Sequence, residues 1–322
     1  MVRQRRKRTA AALSIISNSG LVAAKAAVGI VSGSVSVLSE AAHSATDLVA
    51  SLIAFFSVRV SDTPPDAEHP YGHGKIEGVS GLLEALLIFA AAFYIIYEAI
   101  HRIINHHGQP PTFDAGLVVM GISAATNFGL SRYLARVARE TDSLALQADA
   151  EHLTTDVYTS VGVFVGLVLA RLTHLSWIDP VAGLGVAILI IHTGYRLTRH
   201  SMKPLLDARL PSEEEQRIKD ILNHDARVLG YHKLRTRKSG SQRHADVHVL
   251  IDDASTLLEA HDLTEELEDH VRTTLPDINI NIHIEPYHAE MQHQREAHGL
   301  SQEQANPKIV ANAPTSGTGK EH

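Results

Sequence analysis

The sequence predicts a six-helix transmembrane bundle joined to a small α+β domain, and three observations carry that expectation. Six long apolar stretches occupy roughly the first 200 residues, and the composition turns polar near residue 208. The third is a pair of ionisable residues four apart, His43 with Asp47, that recurs as His152 with Asp156 inside two of the apolar stretches. Residues four apart stack on one helix face, so each pair aims an imidazole and a carboxylate the same way. Two such faces meeting supply two nitrogens and two oxygens, the donor set of a tetrahedral zinc site. An ionisable group at the centre of a span costs about 2.5–3.5 kcal/mol on insertion scales. A lone buried histidine fits a soluble helical core; a repeated HxxxD does not.

A basic N-terminus, 1–10, carries Arg3, Arg5, Arg6, Lys7 and Arg8, and the first span follows at about 11–31 with Asn18 and Lys25. The second, about 34–58, holds His43 and Asp47, and a loop rich in proline and glycine runs from Pro64 to Lys75. Spans three and four, about 77–104 and 113–136, are separated by the polar turn Asn105 to Thr112. The fifth, about 147–171, holds His152 and Asp156, and the sixth, about 178–199, follows a break at Asp179-Pro180. Threading six spans in turn puts the N-terminal cluster, Arg59, Lys75, Arg136, Arg139, Arg196, Arg199 and Lys203 on one side. The other side has little beyond Arg102 and Arg171, so both termini are expected in the cytoplasm of a multi-pass membrane protein.

Composition narrows the chemistry. The 322 residues contain no cysteine, which excludes disulfides and thiolate metal sites and leaves His, Asp and Glu as ligands. The mean hydropathy of -0.02 averages an apolar front with a polar remainder. The net charge of -7 likewise hides a basic start and an acidic last third. The basic cluster abuts an apolar segment, which reads as a membrane-orientation signal rather than a nucleic-acid patch, and no small-residue cleavage site marks it as a signal peptide. A membrane zinc hydrolase would need an open metal position and a general base, as in HExxH, and that motif is absent.

The second domain, about 208–288, reads as αββαβ. Ser212 stands in a cap position before Glu213, Glu214 and Glu215, with Ile218, Ile221 and Leu222 at helical spacing. Alternating stretches at about 229–237 and 243–251, joined at Ser239-Gly240-Ser241, form a hairpin. A second amphipathic helix spans about 256–274, and the alternating Ile278, Ile280, Ile282 and Ile284 make a last strand. That order gives a small sheet with helices on one face. The stretch 289–322 is polar and aperiodic, and disorder is expected there.

Two further groups of ligand types stand out, each with an ordinary alternative. Asp66, His69 and His73 suit zinc, yet a loop with two histidines is also a common solvated segment. In the second domain His232, His244, His248, His261 and His283 accompany Glu285; His283 and Glu285 share one strand face, as do His244, Asp246 and His248. A histidine-rich metal site and a set of exposed strand histidines both fit that pattern. Glu40, Glu84, Glu98 and Asp149 lie in or near apolar runs; Asp149 can share the face of His152 and Asp156, but for each the expectation is a water-filled vestibule or a pair with Lys25 rather than direct ligation.

With six spans, the paired HxxxD, the loop signature His69-Pro-Tyr-Gly-His73-Gly-Lys75 and the αββαβ unit, residues 10–288 resemble a bacterial cation diffusion facilitator of the zinc and ferrous-iron efflux branch. The resemblance implies a homodimer in the bacterial inner membrane, with the transported ion held by His43, Asp47, His152 and Asp156. It implies a second site from Asp66, His69 and His73, and a cytoplasmic pair of sites drawn from His232, His248, His261, His283 and Glu285. It further implies a metallochaperone-like second domain and a salt bridge from Lys75 to Asp207. His43 stands where some relatives have aspartate, and an imidazole favours Zn²⁺ over harder ions such as Mn²⁺. Glu285 stands where close relatives often have aspartate.

Charge supplies the expected mechanism. With neutral imidazoles the four residues carry two negative charges, which one Zn²⁺ cancels. When the ion leaves, protonation of His43 or His152, with a reference pKa of about 6.5, relieves the carboxylates and removes a lone pair from the metal. Zinc and protons then compete for one site, an antiport that exports zinc, with zinc at the cytoplasmic histidines as regulatory ligand. The alternatives are an Fe²⁺, Mn²⁺, Cd²⁺ or Co²⁺ exporter, or a non-transporting metal sensor or scaffold.

Overall fold

The computed structural model describes residues 2–32, 35–105, 115–173 and 178–298. Six long helices make a first unit, Met1–Leu206: α1 (Val2–Ser32), α2 (Val35–Ser61), α3 (Ile76–Asn105), α4 (Ala115–Thr141), α5 (Leu144–Thr173) and α6 (Ile178–Leu205). Among the described residues, Arg3–Val28, His43–Ser61, Ile76–His101 and Val181–Leu205 are long and apolar enough to cross a bilayer. α1 packs along α2, α3 along α6 and α4 along α5. α5 is the shared element. Its Ala145, Leu146, Ala150 and Leu153 join α1, α2 and α4 in one apolar core, while Ala148 joins Ala85, Ile88 and Ala92 of α3 and Ile190 and Leu197 of α6 in another. The residues between those contacts, including His152, are thereby fixed in the middle of the bundle. Close approach is enforced at Gly81, where a Cβ would collide with Ser201 of α6, and at Gly162, where it would collide with Val186.

Two boundaries differ from expectation. α1 begins at Val2 rather than near residue 11, so the basic cluster is its first two turns and Lys7 is buried. Hydropathy alone misplaces that start, because the charges of Lys7 and its neighbours mask a continuous helix. Asp179-Pro180 is not a break before the sixth span but the first turn of α6, where proline's missing N–H costs no intrahelical bond. The turn residues 33–34 and 106–114, the tail 299–322 and the side chains of Glu40, Arg102 and Arg171 lie outside the described residues.

The second unit, Asp207–His322, holds α7 (Ser212–His224), β1 (Gly230–Ser239), β2 (Gln242–Ile251), α8 (Leu257–Thr274), β3 (Ile278–Pro286) and α9 (Tyr287–His298). The sheet order is β1-β2-β3, with β1 and β2 antiparallel and β2 and β3 parallel. The hairpin closes with Ser239 opposite Gln242, and Gly240 takes the positive φ of 59° that such a tight turn demands. Ile218 and Leu222 of α7 and Leu263, Leu267 and Val271 of α8 pack on Val247, Val249, Ile280 and Ile282, one face of the sheet. Thr256 and Glu259 form a capping box at the start of α8. At α7 the cap differs from expectation: Ser212 is already helical and Pro211 occupies the cap position without a side-chain bond. Residues 289–298 are helical rather than disordered, because α9 buries Met291 against Leu250.

Candidate metal centres

α2 and α5 bring the two HxxxD pairs together in a crossed arrangement. His43 Nε2 lies 4.0 Å from Asp156 Oδ1, and His152 Nε2 lies 3.6 Å from Asp47 Oδ1. Ligand atoms of His43, Asp47 and Asp156 fall within 4.8 Å of one another. Tetrahedral ligands at about 2.0 Å from zinc stand about 3.3 Å apart, so small side-chain shifts complete the cage. Asp47 and His152 are buried, and Asp47 Oδ1, Asp156 Oδ2 and both ring nitrogens of His152 lack hydrogen-bond partners. Buried polar atoms are rarely left so. A divalent cation fits the orphaned oxygens of Asp47 and Asp156 and one ring nitrogen of His152, with His43 Nε2 as the fourth ligand atom beside them.

The exposure is one-sided. Because α2 and α5 run in opposite directions, Asp47 and His152 lie toward the end of the bundle at which α1 begins, and His43 and Asp156 lie toward the other. The former side chains are 6% and 7% exposed and Asp156 is 13% exposed, whereas His43 is 47% exposed, so the cage is exposed at His43 alone of the four.

Around the cage the polar residues of the first two helices form a seam. Ser14, Asn18 and Lys25 share one face of α1. Ser14 Oγ pairs with Ser51 Oγ at 2.9 Å, Asn18 Nδ2 donates to Ser51 Oγ at 2.6 Å, and Lys25 Nζ donates to Ser44 Oγ at 2.7 Å. Ser51 in turn donates to Asp149 Oδ1 at 3.4 Å. Asp149 and Glu84 are fully buried, each with one oxygen lacking a hydrogen-bond partner.

Sequence reasoning missed Glu77. Its carboxylate is 1% exposed and closes the α1-start end of the bundle. Oε1 accepts from Lys7 Nζ and Ser61 Oγ, both at 2.9 Å, and Oε2 accepts from Ser143 Oγ at 2.9 Å and the Leu144 N–H at 2.7 Å. Lys7 Nζ also lies 3.0 Å from Asp62 Oδ1. One acid from α3 thus caps the N-terminus of α5 while tying it to α1 and α2. The available signal was an acid in the first turn of an apolar span, but its partners lie 16 to 70 residues away.

The loop triad is also gathered. Asp66 Oδ1 accepts from the His69 N–H at 2.6 Å and the Glu68 N–H at 3.0 Å, His69 Nδ1 lies 3.2 Å from the same oxygen, and His73 Nε2 lies 3.5 Å from Oδ2. The His69 N–H, foremost, holds the Asp66 carboxyl below the usual range against an opposing desolvation, so it is ionised and available. The positive φ of 77° at Gly72 turns the chain so that His73 returns to the carboxylate.

In the second unit, sheet register does the assembling. His232 of β1 pairs with His248 of β2, which pairs with His283 of β3, placing three imidazoles in a row across the sheet. Glu285, two residues on, accepts from His232 Nε2 at 2.6 Å and His248 Nδ1 at 2.7 Å, and His283 Nε2 lies 3.6 Å away. Partial burial opposes the charged form of Glu285, but the bonds and charge from His232 and His248 outweigh it and hold its carboxyl below the ordinary glutamate range. The longer arm of glutamate therefore still reaches both rings. His261 is exposed on α8, outside this cluster, and His244 is a buried β2 residue. Asp207 bonds Arg237 Nη1 at 3.3 Å within its own unit.

Two family models account for nearly all of these elements: a cation efflux transmembrane domain matches residues 11–206 and a cation efflux cytoplasmic domain matches 210–287. The chain belongs to the cation diffusion facilitator family. Among facilitators and their kin, the uncharacterized transporter sll1263 of Synechocystis sp. is 36% identical over 258 residues, covering 80% of this chain and 83% of its own. The cation-efflux pump FieF of Pectobacterium atrosepticum is 32% identical over 266 residues, covering 82% and 87%. Metal tolerance protein C1 of Arabidopsis thaliana is 32% identical over 290 residues, covering 85% and 61%. As a facilitator the chain is a divalent cation efflux transporter, built as a membrane bundle with a cytoplasmic domain, and it is not an enzyme.

Proposed function

We propose that this facilitator exports Zn²⁺ from the cytoplasm in exchange for protons, as a homodimer in a bacterial inner membrane with both termini inside. The observation that supports it most is the crossed pair of His–Asp contacts between α2 and α5, whose buried ligand atoms have no other partner. Two nitrogens and two oxygens suit zinc better than the harder Mn²⁺. The transported ion is held by His43, Asp47, His152 and Asp156, and protons replace it when it leaves. With the cytoplasm at the α1-start end, the knot at Glu77 closes the inner side and the exposed His43 opens the outer one, an arrangement suited to release. Alternating access requires the opposite state as well.

Asp66, His69 and His73 form a second ion site at the membrane surface. His232, His248, His283 and Glu285 form a regulatory site in the cytoplasmic domain, with His261 of α8 offered to a second ion. Glu285 bridges two imidazoles, so Glu285→Ala is expected to remove at least one bound zinc per protomer from the full-length protein in equilibrium dialysis, while gradient-driven flux persists. An unchanged zinc count would strike Glu285 from the ligand set.

The deciding experiment loads proteoliposomes with purified protein and measures uptake of Zn²⁺, Fe²⁺, Mn²⁺ and Cd²⁺ with and without a pH gradient. Zinc uptake that the gradient drives is expected. Movement of iron or manganese without zinc would overturn the ion assignment, and binding without movement would favour a sensor or scaffold.

A further inference from the structure

Asp149 of α5 is outside the cage, yet it is fully buried, and a carboxylate inside a bundle is costly unless something satisfies it. Its Oδ1 accepts from Ser51 Oγ at 3.4 Å, long against the roughly 2.7–2.8 Å usual for such bonds, and its Oδ2 has no hydrogen-bond partner. Ser51 belongs to α2, and its Oγ also pairs with Ser14 Oγ of α1 at 2.9 Å and accepts from Asn18 Nδ2 at 2.6 Å. Three helices thus bring four polar side chains together, each at most 1% exposed. Asp149 precedes His152 by three residues and Ser51 follows Asp47 by four, so each stands one turn nearer the α1 start than a cage residue of its own helix. Asn18 Nδ2 also lies 3.5 Å from the Asp47 carbonyl oxygen. On the far side of the cluster Glu77 bonds the Leu144 N–H, five residues before Asp149. The cluster occupies the interval between the closure at Glu77 and the cage.

We propose that Ser14, Ser51 and Asp149 form an inner ion station, an oxygen-only site that takes the divalent cation before the cage does. The inference rests on the reading that α2 and α5 hold the transported ion and that it enters from the α1-start end. The free Oδ2 of Asp149 supplies charge, and the hydroxyls of Ser51 and Ser14 supply neutral oxygens, which ligate a cation without losing their protons. One carboxylate offsets half the charge of the ion, so the station binds more weakly than the two carboxylates of the cage and passes the ion on. Oxygen donors suit hard ions, so the station admits Mn²⁺ as well as Zn²⁺ and leaves selection to the imidazoles of His43 and His152.

The test uses Mn²⁺ as probe, because binding to protein removes it from the sharp paramagnetic resonance spectrum of the free ion. The full-length protein in detergent carries Asp47→Ala and Asp156→Ala, which strip the cage of its charge, and Asp66→Ala, His232→Ala and Glu285→Ala, which disable the other sites. Mn²⁺ binding is expected to persist in that background and to weaken about tenfold or more on adding Asp149→Asn. Ser51→Ala, which removes one neutral oxygen, is expected to weaken it about threefold and serves should the asparagine variant fail to fold. With the cage intact, in proteoliposomes, Asp149→Asn should raise the zinc concentration for half-maximal flux about fivefold or more and change maximal flux less than about twofold. Mn²⁺ that does not bind, or that binds equally well after Asp149→Asn, would overturn the station while zinc flux in the unaltered protein leaves the transport reading standing. Lower maximal flux at an unchanged half-saturating zinc concentration would reduce Asp149 to a structural role and overturn it too. An unaltered protein that moves no ion would sink the transport reading, and the station with it.

Discussion

Asp47→Ala and Asp156→Ala are each expected to cut gradient-driven zinc flux at least a hundredfold while leaving the protein folded. The reason is charge. A divalent ion in the bundle is tolerable because two carboxylates cancel it, and removing one leaves a net positive charge that the low-dielectric surroundings cannot screen. In the proposed site the two histidines serve as neutral ligands and rank below. His43, at 47% exposure, opens onto the unsealed side of the cage, so water can take its coordination position after His43→Ala. That variant is expected to lose about tenfold in zinc affinity and to keep measurable flux. His152→Ala, at 7% exposure, should fall between the two classes. Zinc flux against concentration for the four single variants checks the order, and a His43→Ala protein as inactive as Asp47→Ala would refute the charge argument.

What the sequence made legible and what it hid divide along a physical line. The four cage residues were readable because helix spacing is local: four residues fix which side chains share a face, and the repeat on a second span implies that the faces meet. The three-strand histidine row was half readable. Alternation assigns His283 and Glu285 to one face, but that His232, His248 and His283 lie directly abreast depends on register: the Gly240 turn alone would set His232 opposite Val249, a bulge between His232 and Arg235, with Lys233 at a φ of 52°, shifts it to His248, and the parallel β2–β3 pairing that no local pattern announces brings in His283. Lys7 and α9 were misread for a shared reason. Each is polar in composition, and each is ordered by distant contacts, Lys7 by Glu77 and Asp62 and α9 through Met291 on Leu250.

Glu77 carries the other large expectation, and it concerns stability first. Lys7 and Glu77 are 4% and 1% exposed; breaking a buried pair from one side costs about 3–5 kcal/mol when the remaining charge is left alone, and here less, because Lys7 keeps Asp62 at 3.0 Å. Glu77→Ala also strips the acceptor from Ser143 Oγ and from the Leu144 N–H at the start of α5. The variant is expected to unfold in detergent at a markedly lower temperature, or to fail to accumulate. Glu77→Gln keeps a carbonyl oxygen for the N–H and loses one charge opposite Lys7, so it should be intermediate, and adding Lys7→Met together with Asp62→Asn, which removes the other buried charges of the cluster, should recover part of the loss. A triple variant no better than Glu77→Gln would mean that the helix cap, not the buried charges, holds this end together. The same bonds bear on transport. If the α1-start end must open to admit cytoplasmic zinc, every bond made by Glu77 stabilises the closed state against the open one. Glu77→Gln should then raise the fraction of molecules labelled by a thiol reagent at a cysteine introduced at Ala148, which is buried behind the knot, even where its overall stability is lower than that of the parent. Unchanged labelling would confine Glu77 to folding.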